Sequence, residues 1–183
     1  MLPRPLDILA IAAHRDDVEQ TCGGTLLKMA QRGHRTGILD LTQGEMGTRG
    51  TAEERAREAD RAARILEVCW RQALDIPDGR VENTWENRLK VARVIREQRP
   101  RVVILPFPVG RHPDHRIASE LGRDACYLAG LAKYGSGGGA HRPFKLLYAL
   151  AYREDPVKPT FVVDVSDYYD VKRRALAFSQ WSS

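Results

Sequence analysis

Three of the five histidines in this 183-residue chain stand beside carboxylates at two separate points. His14 precedes Asp16 and Asp17, and His112 and His115 flank Asp114. Two imidazoles and a carboxylate make a three-ligand site with open positions, the set that zinc enzymes use to hold a water. At a strand-to-helix corner, residues three apart point the same way and neighbours diverge. His14 and Asp17 can therefore share one ion while Asp16 points elsewhere, toward the bound water. The same spacing puts His112 and His115 on one side of a first helical turn. Metal-bound water has its pKa lowered from about 15.7 to near 7, and a carboxylate beside it serves as general base. Asp16 fits that role. If His115 completes the metal shell, His112 is left to act on a developing oxyanion or a leaving amine. Asp114 can then orient an imidazole and raise its basicity. These are the parts of metal-assisted amide or ester hydrolysis. The competing reading is structural, because Asp at the end of a strand is a common helix N-cap and Asp16, Asp17 and Asp114 all stand where caps stand.

Such residues need elements to hold them. Leu6–Ala13 is a short continuous apolar run, as in a strand buried on both faces, and His14 follows it directly. Cys22–Gln31 reads as a helix ended by Gly33, and Thr36–Thr42 as a second strand. Gln43–Thr51 has three glycines and no periodicity, so it is a loop. Thr51 and Glu54 form a capping box ahead of an apolar stripe at Ala52, Ala56, Ala59, Ala63 and Leu66. Asn83 or Thr84 caps the next helix, which Pro100 stops. Val102–Leu105 is again a buried strand, and Pro113 opens a helix that carries Ile117, Leu121, Ala125, Leu128 and Ala132 inward. The Gly-rich stretch Tyr134–Arg142 is a surface loop. Strands at Leu146–Tyr152 and Thr160–Val165 follow. Ser166 or Asp167 then caps a last helix with Tyr168, Val171, Ala175 and Phe178 on one side. Strand and helix alternate throughout. The pattern predicts a single α/β domain over 1–183, with a mostly parallel sheet covered by helices on both faces. Ligands in such sheets sit beyond the carboxyl ends of the strands, where both polar clusters lie.

Composition excludes several classes. With 43% hydrophobic and 29% charged residues the chain is globular rather than disordered. The formal charge is +5 and the pI about 9.3, but basic residues interleave with acidic ones, as in Glu53–Glu58. That argues solubility rather than nucleic-acid binding. No apolar run is long enough to span a membrane, and no secretory signal is apparent. Three cysteines without CxxC spacing fit reduced thiols in a cytoplasmic protein, with at least two of them buried in helical positions. Glu19 reads as a first-turn helix acid, Gly23–Gly24 as close helix–sheet packing, and His34 and His141 as solvent-facing.

The run Ala13-His14-Arg15-Asp16-Asp17-Val18-Glu19, followed by Gly23-Gly24-Thr25-Leu26, resembles the His-Pro-Asp-Asp-x-Glu signature of the LmbE-like (PIG-L) N-acetylglucosaminyl deacetylases. Gly110-Arg111-His112-Pro113-Asp114-His115 is similar to the second motif of that family, and Gly44–Thr51 to its substrate loop. The resemblance runs along nearly the whole chain and implies a Rossmann-like fold. It implies His14, Asp17 and His115 as ligands of Zn²⁺, with Fe²⁺ as the other candidate metal, and Asp16 as general base. It implies that His112 stabilises the oxyanion or protonates the amine, with Asp114 modulating it. Arg49 matches the loop arginine expected to contact substrate, where a guanidinium offers a bidentate fork for a carboxylate. Glu45 and Thr48 lie in the same loop as further sugar contacts. The loop, Asp75-Ile76-Pro77-Asp78-Gly79 and Ser179-Gln180 together look most like the branch that deacetylates N-acetylglucosaminyl malate in bacillithiol synthesis. Homo-oligomers are common in the family.

Two departures stand out. Arg15 replaces the usual Pro, which predicts a changed rim and an intact metal shell. The chain also stops soon after Ser179-Gln180-Trp181, so a C-terminal segment present in relatives is expected to be missing. Two other classes fit parts of the pattern. One is a non-haem Fe(II) oxygenase using two histidines and a carboxylate, which the α/β alternation disfavours. The other is a non-catalytic sugar- or nucleotide-binding module.

Overall fold

The computed structural model describes residues 4–47, 51–133, 138–150 and 157–179. Five parallel strands form one sheet in the order β3-β2-β1-β4-β5: β1 Ile8–Ala12, β2 Thr36–Asp40, β3 Trp70–Ala73, β4 Val102–Pro106 and β5 Lys145–Ala149. The sheet is therefore wholly parallel, and the fold is α/β in a single domain, as the alternation predicts. Among the described residues six α-helices connect and cover it: α1 Asp17–Thr21, α2 Gly23–Gln31, α3 Ala52–Ile65, α4 Trp85–Gln98, α5 Pro113–Ala129 and α6 Tyr169–Ser179.

Alternate strand residues serve opposite faces, because successive side chains of a strand point to opposite sides. Leu9, Ile11, Leu39, Val103 and Leu105 pack with Val91, Ala92 and Ile95 of α4 and with Leu121, Ala125 and Ala129 of α5. Ala10, Ala12, Ile38 and Ile104 face Val18, Cys22 and Leu26 on the other side. A further cluster of Leu27, Ala62, Leu66 and Ala175 joins α2, α3 and α6. Both faces of the central strands are thus dry, which explains their unbroken apolar sequence.

Pairing of β1 with β2 runs from Ile8↔Thr36 to Ala12↔Asp40, and pairing with β4 from Ile8↔Val102 to Ala10↔Ile104. The chain leaves β1 toward β2 on one side, and returns through β4 on the other. The gap above β1 and β4 is a topological switch point, where such sheets bind their ligands.

Helix ends follow local chemistry. The capping box at α3 is complete, with Thr51 Oγ1 accepting from Glu54 N at 3.2 Å and Glu54 Oε2 from Thr51 N at 2.8 Å. Thr84 caps α4 through Asn87 N, and Pro113 occupies the first turn of α5.

Several expectations are corrected. Cys22–Gln31 is preceded by a separate short helix, α1, and β3 carries no apolar run that would announce it. α5 stops at Ala129, short of Ala132. Thr160–Val165 is no strand: Phe161 and Val162 are exposed, the Asp164 carbonyl accepts from Lys28 Nζ at 2.5 Å, and Val165 packs on Gly24. The segment drapes over α2 and leaves β5 as the sheet edge. Ser166 opens a 3-10 turn before α6, with Val165 at the cap position and no side-chain cap, while Asp164 Oδ1 accepts from Ser166 N and Oγ. Gly23 and Gly24 admit Leu66 and Val165 rather than the sheet. His141 is half-buried and hydrogen-bonded to the Pro100 carbonyl at 2.8 Å, whereas His34 is exposed as expected. Cys22 and Cys126 are buried and Cys69 exposed, all as free thiols. Ala151 and Tyr152, residues 134–137 of the Gly-rich stretch, and Gln180 and Trp181 lie outside the described residues. No helix among the described residues is long and apolar enough to cross a membrane.

Thr51→Ala removes the side-chain half of the α3 capping box. It is expected to lower the unfolding free energy by about 1 kcal/mol, seen as a shifted urea midpoint at unchanged slope. An unshifted midpoint would show that the box does not hold α3.

Candidate active site

The site begins where β1 ends. Thr42 donates to the Ala13 carbonyl from both its N–H, at 3.1 Å, and its hydroxyl, at 3.0 Å. That clamps the strand end and sets the exit of His14. Three residues later the Asp17 carboxylate accepts the His14 N–H at 2.9 Å, closing a tight corner before α1. Asp16 stands at the cap position but makes no capping bond. The carboxylates at this corner are therefore not explained as helix caps.

α5 supplies the opposing wall from the end of β4. His14 Nδ1 lies 3.2 Å from His115 Nε2 and 3.4 Å from Asp17 Oδ2, while His115 Nε2 lies 3.1 Å from Asp17 Oδ1. The two imidazole nitrogens and the Asp17 carboxylate thus meet pairwise at 3.1 to 3.4 Å, each imidazole facing its own carboxylate oxygen. A tetrahedral zinc with bonds of about 2.0–2.1 Å sets its donors about 3.3 Å apart. The spacing and the mixture of two nitrogens and a carboxylate oxygen fit such an ion.

Electrostatics points the same way. Burial alone would lower the His14 pKa, but the hydrogen bond and charge of Asp17, with Asp78 and Asp114 nearby, hold it up at about 9. Burial pushes the Asp17 carboxyl up, yet its bonds to His115 and His14 hold it well below the usual range. The pocket is built to surround positive charge.

The far nitrogen of His14 has its own partners. Nε2 lies 3.1 Å from Asp78 Oδ1 and 3.3 Å from Asp114 Oδ2. Asp114 is buried and accepts from Gly79 N at 2.8 Å and Val81 N at 3.3 Å. The turn that offers these amides needs Gly79, whose φ is +72°. A carboxylate behind a metal-facing imidazole fixes its tautomer and raises its basicity. The ring that Asp114 touches is thus His14. Asp114 meets His112 through its backbone N–H, which donates to His112 Nδ1 at 3.2 Å, and through the charge of its carboxylate.

That bond makes Nδ1 of His112 an acceptor, so the neutral ring carries its proton on Nε2. His112 stacks on His115 with centroids 4.7 Å apart and meets His14 edge-on at 4.8 Å. Burial and these two imidazoles lower its pKa, which keeps it neutral. Asp16 is half-buried, its Oδ2 accepting from Gln20 Nε2 at 2.9 Å. Burial and the charge of Asp17 push its carboxyl up, which makes it a better proton acceptor than a free carboxylate. Burial pulls the pKa of the Arg15 guanidinium down, against the charges of Asp40, Asp60 and Glu45.

The loop after β2 is tied to the same group of residues. Glu45 Oε1 accepts from Asp78 N at 2.8 Å, and Asp78 Oδ2 accepts from Met46 N at 3.0 Å. Thr48 and Arg49 lie outside the described residues. Beside Asp17 and His115 a narrow cavity of about 50 Å³ is walled by Cys22, Ile104, Phe107 and Val109.

Sequence reasoning missed Asp78, Arg71 and Asp40. A Pro-Asp-Gly turn signal was visible at Asp78, but its carboxylate points inward. Glu19 is the first-turn acid of α1, as read, but not at the surface. It is fully buried and pairs with Arg71 Nη1 at 2.5 Å, while Arg71 also grips Asp40 at 2.8 Å. Burial pushes both carboxyls up, and Arg71 opposes that shift.

Comparison with known proteins agrees with this geometry. Residues 9–126 match the PIG-L family, described as GlcNAc-PI de-N-acetylase. A diacetylchitobiose deacetylase of Thermococcus kodakarensis is 35% identical over 181 positions, covering 92% of this chain and 67% of that protein. A 1D-myo-inositol 2-acetamido-2-deoxy-alpha-D-glucopyranoside deacetylase of Kineococcus radiotolerans is 27% identical, covering 86% of this chain and 55% of that protein. Among solved structures, the conserved protein TT1542 from Thermus thermophilus superposes with a TM-score of 0.90 at 44% identity, covering 94% of this chain and 78% of that one. A match through both histidine corners, carried by relatives of this identity, means that the chain belongs to the PIG-L family of N-deacetylases, hydrolases of an amide bond.

Proposed function

We propose that this chain is a zinc-dependent hydrolase that removes the acetyl group from an N-acetylglucosamine conjugate. The carrying observation is the convergence of His14 Nδ1, His115 Nε2 and the Asp17 carboxylate, with Asp16 next to Asp17 in the chain and within reach of its charge. His14, Asp17 and His115 would hold the ion. Zinc bound there would supply a water of lowered pKa and a Lewis acid for the amide carbonyl; Fe²⁺ is the second metal that this donor set accepts.

The remaining steps belong to side chains. Asp16, with its raised pKa, takes the proton released as water attacks the acetyl carbon and hands it to the leaving nitrogen. His112 Nε2–H donates to the carbonyl oxygen as negative charge grows there, the role of an oxyanion donor. Asp78 and Asp114 hold the His14 ring from behind. The small cavity, with room for about one or two waters, receives the acetyl methyl group.

The two curated relatives described above act, by name, on diacetylchitobiose and on an inositol glucosaminide. What these substrates share is the N-acetylglucosamine unit, and that is the substrate class we assign. Within that class a carboxylated aglycone such as malate is our finer reading, resting on Arg49 with Glu45 and Thr48 in the loop. The three free thiols suit a cytoplasmic reaction.

Acetate release from a panel of N-acetylglucosamine conjugates is expected, lost on chelation and restored by Zn²⁺; activity that ignores chelators would sink the metal assignment. Asp16→Asn is expected to keep stoichiometric metal and lose about 10²–10⁴-fold in kcat. Turnover near that of the wild type would remove Asp16 from the mechanism. Arg49→Ala should raise KM for a malate conjugate and leave diacetylchitobiose unaffected. Equal effects on both would refute the carboxylate reading.

A further inference from the structure

Arg71 on β3 has a side chain only 6% exposed, and each of its five N–H donors is engaged. Nε and Nη2 fork onto Asp40 Oδ2 and Oδ1 at 2.8 and 3.1 Å. Nη1 donates to Glu19 Oε1 at 2.5 Å and to the Ala59 carbonyl at 3.1 Å. The second Nη2 hydrogen goes to the Arg15 carbonyl. One planar group therefore joins β2, α1, α3 and the corner after β1.

Two of those bonds bear on the metal donors. The Arg15 carbonyl belongs to the residue immediately after His14. Glu19 lies on α1, which starts at Asp17. Holding both fixes how far His14 and Asp17 stand apart. A hydrophobic residue would fill the same space at no cost in buried charge, so packing alone does not account for this cluster. Lysine would keep the charge but offers three donors and no fork.

We infer that Arg71 is a positioning residue for the metal centre, with Glu19 as its grip on α1. It acts through the backbone of the corner and touches neither metal nor substrate. The inference rests on the metal reading above.

The test uses the full chain as wild type, Arg71→Lys, Glu19→Ala and Glu19→Gln. Zn²⁺ affinity is measured by competition with a chromophoric chelator. The visible spectrum of the Co²⁺-substituted protein and the melting temperature of the metal-free protein are recorded alongside. Arg71→Lys and Glu19→Ala are expected to bind Zn²⁺ about 10–100-fold more weakly with altered Co²⁺ bands. Glu19→Gln keeps an oxygen for Nη1 and is expected to stay close to wild type in both readouts. Folded Arg71→Lys or Glu19→Ala with wild-type affinity and spectrum would overturn the inference, whatever their melting temperatures. So would Glu19→Gln binding as weakly as Glu19→Ala, because charge and not placement would then be at work. If Arg71→Lys does not fold, the Glu19 pair decides. A wild type that takes up no stoichiometric metal defeats the metal reading itself, whereas wild-type uptake with unaltered variants defeats only the role of Arg71.

Discussion

The parallel ladder between β1 and β4 is the contact on which the site depends. Pairing Ile8 with Val102 and Ala10 with Ile104 ends the two strands at the same height. The corners that follow then open toward each other. A one-residue slip would turn every side chain of β1 to the opposite face and bury His14 in the wrong layer. The register is defended by two dry faces, since Leu9 and Ile11 fit only the α4–α5 side and Ala10 and Ala12 only the α1–α2 side. Hydrophobic burial thereby fixes the distance between polar atoms that never enter the core.

Above that ladder the site is a nested set of carboxylates. Asp17 faces the other donors, Asp78 and Asp114 back the His14 ring, and Asp16 feels the charge of Asp17. Four like charges so close together would repel without a cation. Backbone amides at 79 and 81 and the imidazoles share that burden. The chain as a whole is positive, so the negative well is a local construction and not a property of the surface.

Much of this was legible in the residues. Unbroken apolar runs announced β1 and β4, and the i, i+3 spacing at both corners picked the residues that now converge. The capping box at Thr51 and the proline at α5 are local signals, and both operate as read. What escaped was information held in space. β3 reads Trp-Arg-Gln-Ala, with no run to betray it, because Arg71 spends its polarity inside the protein. Glu19 looks like a helix acid in one dimension and becomes an internal ion only when β3 arrives beside it. Thr160–Val165 erred the other way: its β-branched residues suit a strand, but the chain is drawn over α2. The partner of Asp114 could not be chosen between His112 and His14 until the turn at Gly79 fixed which way the carboxylate faces.

Asp78 divides its two oxygens between different tasks. One backs the His14 ring, and the other receives the Met46 amide in the loop after β2. Electron density drawn toward one oxygen is denied to the other, so a tug on the loop retunes the basicity of the imidazole behind. The loop after β2 and the ring at the end of β1 therefore share a single lever, and moving either one pulls on the other.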